Sequence, residues 1–546
     1  MKKLITTLFL LFAMYMLQAK DNVEKISITV NSSLNARSKV EGHMTAGSYD
    51  GPIGIKLRGN SSLGFNQKKY TIELRDDDGN EVDAPLLGMP AHSKWVLLAP
   101  YNDISMVRDP LAFQLWRDMG HWGPRTRMVE LTLNGDYRGI YILSEAIKRG
   151  KERVDIAKMK KSDVEGREVT GGYMLRIDTF NEDDATFVSK VPGIGEGNFS
   201  TQVIWSCIYP KKKNLQPEQM AYIQNYIDTV ELVIQSDDFA DPKQGYARYI
   251  DVPSFVDYFI HTELSLNADG YKRSAYFYKE KQNEDGSGGK LVAGPVWDYN
   301  LAYGNANFAN ADNIEAWNFK GASNNPTPAM WQRLLQDPIF RKAVKTRYQK
   351  LRKSVLSNKA INAYIDNHAK LIAPCLDHHF ETFPELLVTE EQKKQMPKMQ
   401  PFGSFPPMGG FQMPDSIPQF AGGFPPMGGF QMPDSIPQFA GGFPPMGGFQ
   451  MPDSIPQFAG GFPPMGGFQM PDSIPQFAGG FPPMGGFPLM GEFPPMGDFG
   501  GFGVNMFAAY RVSSYDEEIK ILKKWFADRL AFLDRNIERF DKDWQP

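Results

Sequence analysis

The chain of 546 residues is long enough for several domains, or for one large domain with insertions. Its formal net charge of −4 is small for that length, which excludes a nucleic-acid binder that works through a strongly basic surface. Two cysteines exclude a disulfide framework and a four-ligand zinc site, so Cys207 and Cys375 are interpreted as buried apolar residues, with a single disulfide as the alternative after export.

The N-terminus, residues 1–19, has the pattern of a secretory signal peptide. Lys2 and Lys3 precede an apolar run that extends to about Leu17, and cleavage is expected near Ala19. The run is too short for a comfortable membrane span, so we expect an exported protein that is periplasmic, secreted or at the cell surface, with no transmembrane segment in the mature chain. An uncleaved anchor is the alternative, because Leu17 is a poor residue for the cleavage site.

Short alternating apolar runs predict a β-rich N-terminal part. Residues 20–50 form a first β segment, and residues 51–400 form the main domain, which begins with further strands. The small polar residues 58–62 interrupt these strands, either as an ordinary turn or as a loop whose backbone amides bind phosphate. Asn134-Gly135 between two alternating runs is the strongest hairpin signal, because this pair suits the left-handed turn that joins twisted strands.

Helical spacing takes over along the chain. Residues 102–119 predict one helix inside the β-rich part, with N-cap candidates at 102–105. The neighbours His378 and His379 are expected at the surface. Further helices are predicted from Pro217, from Pro253, and over residues 328–335, 340–356 and 358–372. The prediction is an α+β protein with a β-rich N-terminal lobe and a helical C-terminal lobe.

A tandem array occupies residues 401–504. Its unit FPPMGGFQMPDSIPQFAGG begins at Phe405 and recurs at Phe424, Phe443 and Phe462. Several prolines and glycines in each unit exclude a continuous helix or central strand, so this Pro/Gly/Phe/Met repeat is interpreted as a disordered or adhesive insertion. Helical spacing returns in residues 505–546, which predicts a helix that closes the main domain after the insertion.

Two aspartates flank a predicted β-hairpin in the middle of the chain. Asp269 follows the helix that starts at Pro253, and Asp298 follows two short strands joined by a turn at residues 283–289. Phosphoryl transfer requires carboxylates for a divalent metal and an oriented group near the acceptor hydroxyl, and protein kinases carry two such acids in this order. The kinase pattern has Asn where this chain has Ser274. Turn residues without chemistry are the alternative interpretation.

Seven segments follow one another in order over most of residues 51–304. They are RGNSS at Arg58, KKYTIEL at Lys68, LLGMPAHSKWVLLAPYND at Leu86, RTRMVELTLNGDYRGIYILSEAIK at Arg125, RVDI at Arg153, GGYMLRID at Gly171 and GPVWDYNLAYGN at Gly294. Together they closely resemble the CotH family, the spore-coat protein H family of atypical secretory protein kinases. The resemblance implies a two-lobed atypical protein-kinase-like fold that binds ATP with Mg²⁺ or Mn²⁺ and phosphorylates Ser or Thr of extracytoplasmic proteins.

The resemblance also implies roles for the two acids and their neighbours. Asp269 would be the catalytic residue that orients the acceptor hydroxyl, and Asp298 would be the metal ligand. Asn300 stands where the family often has a second Asp, and it would be the second ligand to the metal. Ser274 and Asn300 are the two positions at which the chain departs from the pattern of a metal-binding kinase.

Three further residues are implied to form the nucleotide site. Lys68 would contact the ATP phosphates, with Lys69 as its rival for that role. Glu145, at the end of a predicted strand, would pair with that lysine. Arg58 would help to hold phosphate, because a guanidinium group matches phosphate in a bidentate contact.

The sequence therefore predicts an exported protein kinase that acts on surface or extracytoplasmic proteins. Each full repeat contains Asp-Ser-Ile-Pro, and tethering raises the effective concentration of such a substrate. Autophosphorylation is accordingly predicted at Ser416, Ser435, Ser454 and Ser473, with a spacer or sticky surface segment as the alternative. A non-catalytic kinase-like surface scaffold or adhesin, acting through the aromatic array, is the second class. A carbohydrate-active enzyme with paired carboxylates is a third class, without a supporting motif.

Overall fold

The structure, a computed structural model, describes residues 23–195, 200–322, 325–395 and 510–540. The predicted signal peptide and the repeat array with its four serines lie outside the described residues. The strands are β1 Glu24–Val30, β2 Val40–Ala46, β3 Tyr49–Arg58, β4 Lys69–Leu74, β5 Ala84–Leu86, β6 Met89–His92, β7 Lys94–Leu98, β8 Thr126–Leu133, β9 Asp136–Glu145, β10 Tyr173–Ile177, β11 Ala185–Val188, β12 Gly193–Ile194, β13 Ser200–Thr201, β14 Ile204–Tyr209, β15 Ala275–Lys279, β16 Leu291–Ala293 and β17 Thr327–Pro328.

The helices of the described residues are concentrated in the C-terminal part. They are α1 Arg108–Asp118, α2 Pro217–Gln235, α3 Val252–Ser265, α4 Met330–Leu334, α5 Pro338–Arg352, α6 Asn358–Ile372, α7 Leu376–Thr382, α8 Glu390–Gln395 and α9 Tyr515–Ile537. The mixed α+β class and the β-rich N-terminal region followed by helices are thus confirmed. The kinase-like two-lobed arrangement remains a prediction.

Seven strands close into a barrel in the order β1-β2-β3-β4-β7-β9-β8, and β8 completes it by pairing in parallel with β1. Successive side chains of a strand point to opposite faces, so Ile55 and Ile72 fill the interior, where both are fully buried. Arg58 and Lys69 lie directly opposite each other across β3 and β4, and they belong to the outer set of residues. The barrel therefore carries two of the candidate site residues on its outside.

Both predicted hairpins are confirmed. Asn134 and Gly135 join β8 to β9 with φ angles of 53° and 88°, as a left-handed turn requires. Strands β15 and β16 pair antiparallel at the edge of a five-stranded sheet ordered β11-β14-β10-β15-β16. This second hairpin separates Asp269 from Asp298 along the chain. Smaller sheets are formed by β13-β12-β17 and by β5-β6.

Two local predictions were wrong. Helix α1 begins at Arg108 rather than within residues 102–105, although the Asp103 carboxylate still accepts the Arg108 backbone N–H at 3.0 Å. His379 is buried, not exposed, because α7 packs against β9 and the His379 ring accepts the backbone N–H of Ile140 at 3.1 Å. Cys207 and Cys375 are buried free thiols, as their interpretation as apolar residues predicted.

The chain segments on either side of the repeat array meet. The Val388 backbone N–H donates to the Val512 carbonyl at 3.1 Å, and Lys393 forms an ion pair with Glu517. Beyond this junction α9 enters the core, with buried apolar side chains at Leu522, Leu530 and Leu533. No helix of the described ranges has the length and apolar character to cross a bilayer.

Candidate active site at the two aspartate loops

Asp269 lies in the loop that follows α3. The helix ends at Ser265, and Leu266 turns the chain away with a left-handed φ of 44°. The Asp269 side chain is only 16% exposed, and its buried Oδ1 has no hydrogen-bond partner among the described residues. Arg273 Nη1 lies 3.6 Å from that oxygen. Apart from this ion pair, Oδ1 can accept a hydrogen bond from a ligand.

The electrostatic surroundings of Asp269 favour its protonated form. Burial raises the pKa of Asp269 to about 6, Arg273 opposes this increase, and the charge of Asp298 adds to it. A carboxyl group with a pKa near neutral pH is suited to accept a proton from a reacting hydroxyl.

Asp298 lies in the loop after β16, within electrostatic reach of Asp269. Its backbone has a left-handed φ of 66°, which is uncommon for a residue other than glycine and is frequent at functional sites. Its side chain is 36% exposed. The Asn267 side-chain amide donates to the Asp298 carbonyl at 3.1 Å, so one hydrogen bond joins the two aspartate loops.

A third acid, Asp109 in the first turn of α1, belongs to the same site. It is buried, and its Oδ1 accepts the backbone N–H of Tyr299 at 2.6 Å. Burial and the charge of Asp298 raise the pKa of Asp109 to about 7, whereas Lys69 acts to lower it. Sequence reasoning missed Asp109, because an acid in the first turn of a helix is ordinarily explained by the helix dipole.

Two cations of the barrel flank Asp298. Lys69 Nζ lies 4.0 Å from Asp298 Oδ1, and the Arg58 guanidinium lies over the Trp297 ring at 5.0 Å from its centroid. Lys68 is directed elsewhere, since its Nζ donates to the Leu63 carbonyl at 2.7 Å. Neighbouring side chains of an extended chain point in opposite directions, so only one of the two lysines faces Asp298.

A family model described as "CotH kinase protein" matches residues 55–407, which is more than half of the chain. This chain belongs to the CotH family. It is also 22% identical over 264 residues to "Inner spore coat protein H" of Bacillus subtilis (strain 168). That alignment covers 48% of this chain and 62% of the relative. The resemblance carried by the seven sequence segments is therefore confirmed, and all the acids and cations described above lie within the range that the CotH model matches.

The CotH chain uses Glu145 in a different contact from the one predicted. Glu145 is fully buried, accepts from Arg125 Nε at 3.1 Å, and forms an ion pair with Arg153. The negative charge of Glu145 is therefore balanced by these two arginines, and not by Lys68 or Lys69. The acid that the structure places within electrostatic reach of Lys69 and Asp298 is Asp109.

Asn300 has a structural contact in this CotH chain. Its amide nitrogen donates to Asn102 Oδ1 at 3.0 Å, and its backbone carbonyl accepts from Asn305 at 2.7 Å. The nitrogen is thus committed to holding the Asp298 loop against the chain that precedes α1, and only the side-chain oxygen is left as a ligand. Its role as a metal ligand remains a prediction.

The acids fit a divalent cation that is shared with phosphate. Within the described ranges no three His, Cys, Asp or Glu side chains are grouped closely enough to form a metal site of their own. Mg²⁺ in phosphoryl-transfer sites is ordinarily bound by one or two carboxylates together with substrate phosphates. Burial and, secondarily, the charge of Asp298 disfavour the ionised form of Asp109, and a bound divalent cation would stabilise that form.

Proposed function

We propose that this CotH-family protein is an atypical protein kinase that transfers the γ-phosphate of ATP to Ser or Thr hydroxyls of extracytoplasmic proteins. One observation carries the proposal. Asp269, with a buried oxygen that accepts no hydrogen bond among the described residues, and Asp298, beside Lys69, lie at the two ends of one hairpin, and their loops are joined through Asn267. This is the pair of acids, with an adjoining cation, that phosphoryl transfer requires.

Each residue has a distinct task in this proposal. Lys69, in place of Lys68, contacts the phosphates, and Arg58 assists it with a guanidinium group that is held over Trp297. Asp298 and Asp109 hold the divalent ion. When bound, Mg²⁺ or Mn²⁺ neutralises phosphate charge as it develops.

Asp269 orients the acceptor hydroxyl. The hydroxyl oxygen forms a bond to the γ-phosphorus while the bond from that phosphorus to the β-phosphate oxygen breaks, and ADP leaves. The hydroxyl proton passes to Asp269, whose pKa of about 6 allows it to be ionised before the step and to accept a proton during it.

The predicted signal peptide and the name of the relative support the proposed substrates and location. A protein similar to an inner spore coat protein, with a secretory pattern at its N-terminus, is proposed to act outside the cytoplasm on surface proteins. Self-modification at Ser416, Ser435, Ser454 and Ser473 remains part of the proposal. Mass spectrometry after incubation with ATP and metal would detect it, and four unmodified serines would contradict it.

The decisive experiment measures nucleotide binding and phosphate transfer with Mg²⁺ and with Mn²⁺. The wild type should bind ADP in a metal-dependent manner and transfer phosphate, and Asp298→Ala should lower transfer by about 100-fold or more. Asp312→Ala, which removes an exposed acid from the same part of the chain, is the matched control and should behave like the wild type. Loss of transfer in both variants would contradict the assignment of Asp298.

A second candidate function is a non-catalytic surface scaffold. It is favoured by the residues at two positions, since this chain has Ser274 and Asn300 where the kinase pattern has metal ligands. Ser274, immediately before β15, adopts a left-handed φ of 48°, and the Asn300 amide donates to Asn102. A folded wild-type protein that neither binds nucleotide nor transfers phosphate would support the scaffold.

A further inference from the structure

The chain that follows the repeat array reaches the candidate site through Arg108. This arginine immediately precedes Asp109 and is completely buried. Its Nη1 lies 2.7 Å from Glu518 Oε1 of α9, and its Nε donates to the Ala302 carbonyl at 3.1 Å. A single guanidinium group thus joins the helix that carries Asp109, the loop that carries Asp298, and the helix that follows the array.

Tyr510 and Asp103 complete the surroundings of Arg108. Arg108 Nη2 donates to the Tyr510 hydroxyl at 2.8 Å, and that hydroxyl donates to Glu518 at 3.1 Å. The Asp103 carboxylate accepts from the Arg108 side chain and from its backbone N–H. The cluster is buried and each member has a charged or polar partner, so its geometry is closely defined.

A second contact of α9 supports the other aspartate loop. Arg529 is fully buried and donates through Nε to the Glu263 carbonyl at 3.0 Å, in the last turns of the helix that leads to Asp269. Arg529 Nη1 donates to the Ala316 carbonyl at 2.7 Å. The helix that leads to Asp269 and the loop that carries Asp298 are therefore both contacted by buried arginines that belong to α9 or pair with it.

We propose that Glu518 is a positioning residue, which fixes Asp109 and the Asp298 loop for metal and nucleotide through Arg108. This inference rests on the proposed function. Glu518 itself touches none of the proposed reacting groups. Its removal leaves Arg108 with Asp103 as its one carboxylate partner, so the guanidinium can shift towards Asp103 and carry Asp109 and the Ala302 carbonyl with it.

The test compares Glu518→Gln with Glu517→Gln, a substitution of the neighbouring acid that instead pairs with Lys393. Two quantities are measured in the full chain: Mn²⁺ binding in the presence of ADP, by electron paramagnetic resonance, and the metal concentration that gives half-maximal transfer. We expect both to weaken by about 10- to 100-fold in Glu518→Gln, as for other outer contacts of metal sites, with the KM for the acceptor unchanged. Glu517→Gln should match the wild type.

A merely structural role would give a different result. It would lower the fraction of active protein and the melting temperature, but the metal dependence of the remaining active protein would be that of the wild type, and this outcome overturns the inference. If Glu518→Gln does not fold, Tyr510→Phe replaces it, because it removes one hydroxyl that contacts both Arg108 and Glu518. Tyr510→Phe should then weaken Mn²⁺ binding a few-fold, and unchanged binding overturns the inference.

Failure of the underlying function is distinguishable from failure of the Glu518 role. If the wild type does not bind Mn²⁺ with ADP and does not transfer phosphate, the proposed function and the inference are overturned together. A wild type that does both, with an unchanged metal dependence in Glu518→Gln, overturns only the inference. Restoration of metal affinity in Glu518→Asp, which keeps the charge, would support positioning through the ion pair.

Discussion

The barrel and the aspartate loops are stabilised in opposite ways. The barrel interior is apolar, with Ile55 and Ile72 fully buried. The aspartate loops are held by buried polar groups, among which the Glu263 carboxylate accepts the backbone N–H groups of Asn318 and Phe319 at 2.9 and 2.8 Å, and Asn318 donates to Asn267 at 2.7 Å. A packed apolar interior tolerates conservative change, whereas a buried polar network depends on every partner.

The largest expected difference between the two regions comes from Arg529→Met compared with Ile72→Val. Arg529→Met keeps much of the side-chain volume but leaves the buried Glu263 carboxylate without its cation, so it should lower the free energy of unfolding by about 3–5 kcal/mol. Ile72→Val removes one methylene group and should lower it by about 1 kcal/mol. Urea unfolding followed by circular dichroism measures both values.

Arg535→Met is the control for this comparison, since Arg535 lies on the exposed side of the same helix. It should change the free energy of unfolding by less than about 0.5 kcal/mol. If Arg529→Met and Ile72→Val lower the free energy of unfolding equally, the aspartate loops tolerate substitution as well as the barrel does. The proposed difference between the two regions would then be wrong.

Asp269→Asn should separate stability from activity within the loops. The folded-state pKa of about 6 lies above the ordinary value of 3.8, so between these pH values the folded protein binds more protons than the unfolded chain, and stability falls as the pH rises. At pH 7 the ionised carboxylate costs on the order of 3 kcal/mol. Asp269→Asn should therefore be more stable than the wild type at pH 7, equal to it near pH 4, and inactive in transfer.

The measurement is thermal or urea unfolding of both proteins from pH 4 to pH 7, together with a pH profile of transfer for the wild type. Transfer should rise with pH through a value near 6, because Asp269 must be ionised to accept the hydroxyl proton. Asp312→Asn, at an exposed position, should show no such pH-dependent gain in stability. A difference between Asp269→Asn and the wild type that does not vary with pH would contradict the assigned titration.

The difference between the apolar barrel and the polar aspartate loops also explains what could be predicted from sequence alone. Alternation and turn chemistry predicted strands and the Asn134-Gly135 hairpin, and helical spacing predicted the closing helix, because these are local consequences of side-chain pattern. The placement of Asp269 before a hairpin and of Asp298 after it was also predicted from the sequence. That Lys69, and not Lys68, lies beside Asp298 could not be read from the sequence, because it depends on which face of β4 meets the loops.

Contacts between distant segments were beyond sequence reasoning. Asp109 joined the site because the first turn of α1 meets Tyr299, nearly two hundred residues away in sequence. Glu145 was assigned to a lysine because nothing local indicates that Arg125 and Arg153 occupy it. Buried polar networks combine residues from several elements, and no periodicity in the chain records their partners.

Replacement of residues 401–504 by a Gly/Ser linker of about ten residues should have a modest, stabilising effect. The flanks already meet through Val388 and Val512, and Lys393 pairs with Glu517, so a short linker can join them without displacing α9. Each doubling of loop length costs only about 0.6 kcal/mol, so the free energy of unfolding should rise by no more than about 2 kcal/mol. Calorimetry measures this change, and transfer to an external acceptor should persist while modification of the deleted serines disappears. A destabilised protein, or one with an altered metal requirement, would show that the array itself supports the aspartate loops. The contacts of Glu518 and Arg529 would then be insufficient to hold the site.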